Sequence, residues 1–125
     1  MRIVLLVLIL AATPVFADTP RDFLNRYEKE AGAAGNPTRG GQFFVKRHGG
    51  EWSCSSCHTE NPTVAGRHAK TDKPIKPLAP VANAERFTDT AKVDKWFRRN
   101  CNDVLSRECS ASEKADLLAF LIGQK

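Results

Sequence analysis

Cys54-Ser55-Ser56-Cys57-His58 is the stretch of this chain with the narrowest chemical meaning. Two thiols separated by two residues can reach the two vinyl groups along one edge of a porphyrin. The thioether bonds that result fix the macrocycle to the backbone. His58 follows at once and is thereby set beneath the iron, with an imidazole nitrogen aimed at it. The string is the signature of c-type haem attachment. One covalent haem c is therefore expected on Cys54 and Cys57, with His58 as the proximal iron ligand. Other chemistries fit the string less well. A redox disulfide wants a βαβ surround. A zinc site with His68 lacks the usual paired spacing. A purely structural disulfide has no use for the adjoining histidine.

Haem attachment of this kind requires export, and the start of the chain supplies a signal for it. Met1-Arg2 is a short positive start, residues 3–12 are unbroken apolar, and Val15-Phe16-Ala17 offers small residues where a signal peptidase reads. Residues 1–17 are expected to be a signal peptide cleaved after Ala17, leaving 18–125 as a cytochrome domain outside the cytoplasm, in the periplasm. The apolar run falls short of the roughly 20 residues of a membrane span. Losing Arg2 with the leader takes the formal charge from +5 to +4. That modest basicity suits an acidic protein face. No aromatic-basic pattern or DNA-reading motif accompanies it, so nucleic acid is not an expected partner. A domain this small has little core of its own and calls for a prosthetic group or a crosslink.

Outward from the motif, the pattern is helical. A first helix starts near Pro20 after Thr19, with Phe23, Leu24 and Tyr27 on one face, and the glycines of 32–35 stop it. Asn36-Pro37 starts a second, which carries Phe43, Phe44 and Val45 and runs to Gly49-Gly50. Residues 61–83 lose the pattern, because Pro62, Pro74, Pro77 and Pro80 exclude regular helix. This long Pro-rich loop is expected to wrap a haem edge, with the Pro77 carbonyl accepting the Nδ1–H of His58. Residues 91–100 form a third helix with Val93, Trp96 and Phe97 along one face. A fourth opens on the Ser110/Glu113 capping box, with Leu117, Leu118 and Leu121 following at helical spacing. No stretch alternates with a period of two. The fold class is all-α: about four helices around one haem. Cys101 and Cys109 are expected to pair as a disulfide, since exported proteins keep such bonds.

The sixth iron position decides what the haem does. The chain has one methionine, Met1, which leaves with the leader, so the histidine–methionine pair of the common electron carriers is excluded. His48 and His68 lie ten residues either side of His58. His48 closes a helix and His68 sits among Arg67, Lys70 and Lys73. Near the third helix the choices are Lys92, Lys95, Asn100 and Cys101. Asn100 offers a neutral amide oxygen, though by position alone it reads as a helix C-cap.

Thr71-Asp72-Lys73-Pro74-Ile75, Pro77-Leu78-Ala79-Pro80, Asn83, and above all Lys95-Trp96-Phe97-Arg98-Arg99-Asn100-Cys101 with Arg107-Glu108-Cys109, resemble the sphaeroides haem protein family. The resemblance runs over about residues 39–123. It implies a class I monohaem cytochrome c fold, an asparagine as distal iron ligand and a disulfide beside it. By matching position these are Asn100 and Cys101–Cys109. It also implies a dihaem cytochrome c and a membrane cytochrome b as electron donors. An amide oxygen is a hard, weak donor suited to ferric iron, so Asn100 is expected to leave on reduction and open the site to oxygen, nitric oxide or carbon monoxide. The reduction potential should lie below that of a histidine–methionine protein. The expected function is electron transfer with redox-linked gas binding, not enzymic turnover in the strict sense. Two alternatives remain: a bis-histidine electron carrier using His68 or His48, and a small haem reductase.

Overall fold

Capping decides where the helices begin. The computed structural model describes residues 16–125; the expected leader, residues 1–17, lies almost wholly outside them. Helix α1 (Pro20–Ala31) opens on a capping box, in which the Thr19 hydroxyl accepts from the Asp22 amide and the Asp22 carboxylate accepts from the Thr19 amide. It ends at Gly32 in the left-handed region, φ 68. Helix α2 (Pro37–Val45) is capped by the Asn36 side chain on the Arg39 amide. It stops at Val45, short of the expected Gly49-Gly50. Lys46 is extended there, and the chain must turn toward the cysteine motif.

The motif itself is a single helical turn, α3 (Ser55–His58), too short for periodicity to reveal. The Pro-rich segment carries no helix. It holds one antiparallel pair of two-residue strands, β1 (Gly66–Arg67) and β2 (Pro74–Ile75), with Gly66 opposite Ile75 and Arg67 opposite Pro74. Helix α4 (Thr90–Leu105) is capped by Asp89 on the Lys92 amide and runs five residues past the expected end. Asn100 is therefore inside a helix and is not its C-cap. Helix α5 (Ala111–Ile122) opens on the expected Ser110/Glu113 box, further tied by Arg107, whose two Nη atoms each donate at 2.8 Å to Glu113.

Both α1 and α2 pack on α5. One buried cluster joins Phe23, Leu24, Tyr27, Val93, Ala115 and Leu118, and a second joins Phe44, Leu117 and Leu121. Each large apolar side chain fully buried here contributes about 1.5–3 kcal/mol. The α2–α5 crossing is so close that a Cβ at Gly40 would run into the Asp116 carbonyl. Asp116, 7% exposed on an otherwise apolar face, accepts from the Asn36 amide at 2.6 Å and from Arg39 Nε and Nη2 at 2.8 Å each. The crossing is thus pinned by charge as well as packing.

The expected disulfide is present between Cys101 and Cys109, Cα atoms 5.6 Å apart. It joins the last turns of α4 to the entry of α5. Chain-entropy models assign a link of this length about 2–3 kcal/mol. No helix among the described residues is long and apolar enough to cross a membrane.

Candidate haem site

One turn of backbone organises the attachment residues. Cys54 already has helical angles, and its carbonyl accepts from the amides of Cys57 (3.3 Å) and His58 (3.1 Å). The turn is locked from its N-terminal side by a reciprocal pair: Ser56 Oγ accepts from the Ser53 amide at 2.9 Å, and Ser53 Oγ accepts from the Ser56 amide at 3.2 Å. On its far side the β1 backbone closes in. A Cβ at Gly66 would collide with the Cys57 carbonyl, so only glycine allows this approach.

Cys54 and Cys57 are both free thiols, and Cys101 and Cys109 are bonded to each other. Burial pushes the Cys54 thiol up to about 11. A redox CxxC does the opposite, lowering its attacking thiol. Cys57 Sγ accepts from the Ala69 amide at 3.2 Å. His58 is pushed down to about 4, first by burial and then by the positive charge of Arg86. Its imidazole is neutral through the physiological range, which is the form that ligates iron. Among the described residues no three His, Cys, Asp or Glu side chains are grouped so as to hold a metal ion by themselves.

Around these groups is an apolar wall left half-covered by protein. Phe43, Cys54, Leu78, Phe87 and Phe97 are partly buried against Phe44, Leu117 and Leu121. The Phe44 ring lies 6.5 Å from the His58 ring. Phe87 reaches its place with φ 56, an uncommon angle for a bulky side chain, and it packs on both clusters.

The Pro77 carbonyl does not have the expected partner. It accepts from Arg86 Nε at 2.9 Å and from Asn83 Nδ2 at 3.3 Å, which occupies both lone pairs. Arg86 also donates to the Lys76 carbonyl at 2.7 Å. Sequence reading missed Arg86, because no spacing marks a loop arginine that stitches carbonyls ten residues back. The positive charge of Arg86, which already acts on His58, would disfavour a ferric iron held there. Arg86→Gln is expected to lower the reduction potential, on the order of 50 mV for one charge at intermediate dielectric, as read by a spectroelectrochemical titration.

The possible sixth ligands are now separable. His48 Nε2 lies 2.9 Å from the Phe43 carbonyl and its ring packs on Phe43, so it finishes α2. His68 Nδ1 accepts from the amides of Lys70 and Thr71 and belongs to the β1–β2 turn. Cys101 is in its disulfide, and Lys92 and Lys95 are exposed. Asn100 is exposed on α4, immediately before Cys101. At 100° per residue it falls between the core stripe (Val93, Phe97, Cys101, Val104) and the outer stripe that holds Trp96.

Known proteins are similar to this chain along most of its length. The family model described as domain of unknown function DUF1924 matches residues 30–121. The chain is 43% identical to the cytochrome c-type protein SHP of Cereibacter sphaeroides over 98% of each. It belongs to the sphaeroides haem protein family. The solved structure of oxidised SHP, described as an oxygen-binding cytochrome c, superposes with a TM-score of 0.81 at 44% identity, covering 86% of this chain and 99% of that one. The solution structure of cytochrome c'' from Methylophilus methylotrophus, concerned with haem-ligand detachment, gives 0.74 at 38% identity, over 84% of this chain and 93% of that one.

Membership makes this a monohaem c-type cytochrome of all-α, class I type, with one covalent haem c. The residues present fit that group: two free thiols on one turn, a buried neutral imidazole, and an aromatic wall with its outer surface uncovered.

Proposed function

We propose that this protein is a periplasmic electron-transfer cytochrome with a detachable distal ligand. Cys54 and Cys57 would hold the haem by thioethers, and His58 would ligate its iron in both redox states. The Asn100 carboxamide, a weak neutral donor, would ligate ferric iron and hold ferrous iron poorly, so the reduced protein would be able to take oxygen, nitric oxide or carbon monoxide. The haem itself supplies a one-electron couple and, when ferrous, affinity for such gases.

The observation that carries this reading is the engagement of the other ligands. His48 and His68 are held by local backbone partners. Asn100 has a free carboxamide on a long helix whose neighbouring residue is anchored by a disulfide. A rigid helix and a weak donor suit a ligand that is held in place yet lightly bound. The likeness to an oxygen-binding cytochrome c and to a protein studied for haem-ligand detachment supports the same chemistry. The resemblance to the family adds a dihaem cytochrome c and a membrane cytochrome b as electron donors, and the expected leader places the protein where they would meet it.

Visible spectra test the proposal. Asn100→Ala is expected to change the ferric spectrum to that of an open or water-filled sixth position, while leaving the ferrous spectrum and carbon monoxide binding close to wild type. An unaltered ferric spectrum in the variant, or wild-type ferrous protein that refuses carbon monoxide, would overturn it.

A further inference from the structure

The outer face of α4 carries a feature that ligand chemistry leaves unused. Trp96 stands at the edge of this face, 46% uncovered by the protein's own atoms. Lys95 Nζ lies 5.3 Å and Arg99 Cζ 5.2 Å from its ring centre, so two cations sit against the indole. At helical spacing Lys92 joins the same stripe one turn earlier. Lys92, Lys95 and Arg99 have no carboxylate partner among the described residues, whereas Arg98 on the flank is paired with Glu108. The result is three unneutralised charges around an exposed aromatic.

Its place matters as much as its charge. Phe97, the next residue after Trp96, is part of the apolar wall that includes Cys54. Asn100 borders the stripe on the same helix. Lys92, Lys95 and Arg99 therefore lie on the side of α4 away from its core stripe, with Trp96 between them and Asn100.

We propose that the Lys92–Lys95–Trp96–Arg99 stripe is the docking surface for an electron-transfer partner with a carboxylate-rich face, and that electrons enter and leave past α4. The proposal rests on the electron-transfer reading above and adds the surface and the chemistry of the partner. Tryptophan and arginine are the side chains that dominate protein contacts, and cations around them steer an acidic partner at low salt. The rival surface is the basic loop of Arg67, Lys70, Lys73 and Lys76. Two of its charges are already paired, Arg67 with Asp72 and Lys76 with Glu85.

Anaerobic stopped-flow oxidation of the ferrous holoprotein discriminates the two surfaces. The oxidants are hexacyanoferrate(III), an anion standing in for an acidic face, and hexaammineruthenium(III), a cation. One electron leaves the ferrous haem and reduces one metal complex, with no proton transferred. Lys92→Glu/Lys95→Glu/Arg99→Glu is expected to slow the anionic oxidant about tenfold at low salt and to speed the cationic one, with both effects fading as salt rises. Lys92→Gln/Lys95→Gln should give the same signs at smaller size. Lys70→Glu/Lys73→Glu should change either rate less than twofold. A larger effect from the loop pair, or none from the α4 reversals, overturns the proposal. Ferric spectra and carbon monoxide binding of the same variants should match wild type, so failure of the docking surface is distinguishable from failure of the ligand assignment.

Discussion

Protein carrying Cys54→Ser together with Cys57→Ser is expected to lose its covalent haem completely and most of its folded population with it. The two thiols sit on one turn, and no other cysteine is free to replace them. The consequence for stability follows from the wall. Phe43, Leu78, Phe87 and Phe97 are only partly buried by protein, so the prosthetic group must cover what the chain does not. Covering a few hundred Å² of apolar surface contributes on the order of 5–10 kcal/mol. That is comparable with the whole stability of a domain of this size. A haem stain on a denaturing gel measures attachment, and far-ultraviolet dichroism measures the loss of fold. Each single substitution should keep one thioether and a coloured band. A double variant that stays coloured after denaturation would show that the attachment lies elsewhere.

Asp116→Ala is expected to cost about 3 kcal/mol, read from denaturant unfolding of the holoprotein. Three donors converge on this buried carboxylate, and hydrogen bonds to a charged group are worth about 1.5–3 kcal/mol. Its removal strands the Asn36 amide at the start of α2 and releases the helix from α5. Asp116→Asn keeps an acceptor and should cost less. Arg39→Ala should cost less again, because that side chain is mostly exposed and water replaces its partner. Equal losses from Arg39→Ala and Asp116→Ala would mean that the ion pair, rather than the cap on Asn36, holds the crossing.

The two residues differ in how visible they are beforehand. A charge on the apolar face of α5, flanked by Leu117 and Leu118, is a signal that a careful reading of the period can find. Arg39 in α2, nearly eighty positions away, is not, because the contact exists only once α2 and α5 cross. Arg86 is hidden for the same reason. Its function is to gather the carbonyls of Lys76 and Pro77, and nothing in a loop's composition announces which backbone groups will be short of donors. The end of α4 was missed because Asn100-Cys101 resembles a stop signal, yet a disulfide to Cys109 and a buried Val104 give the helix reason to continue.

Local chemistry alone determined the haem attachment string, the exclusion of a methionine ligand, the starts of α1, α2 and α5 and the pairing of the remaining cysteines. Those depend on residues within a few positions of one another, or on simple absence from the chain. Only the tertiary structure decided which histidines are engaged elsewhere, which carbonyl Arg86 claims, and where along α4 Asn100 stands. Such facts are contacts between segments distant in sequence. Packing creates them, and they have no local counterpart from which they could be read.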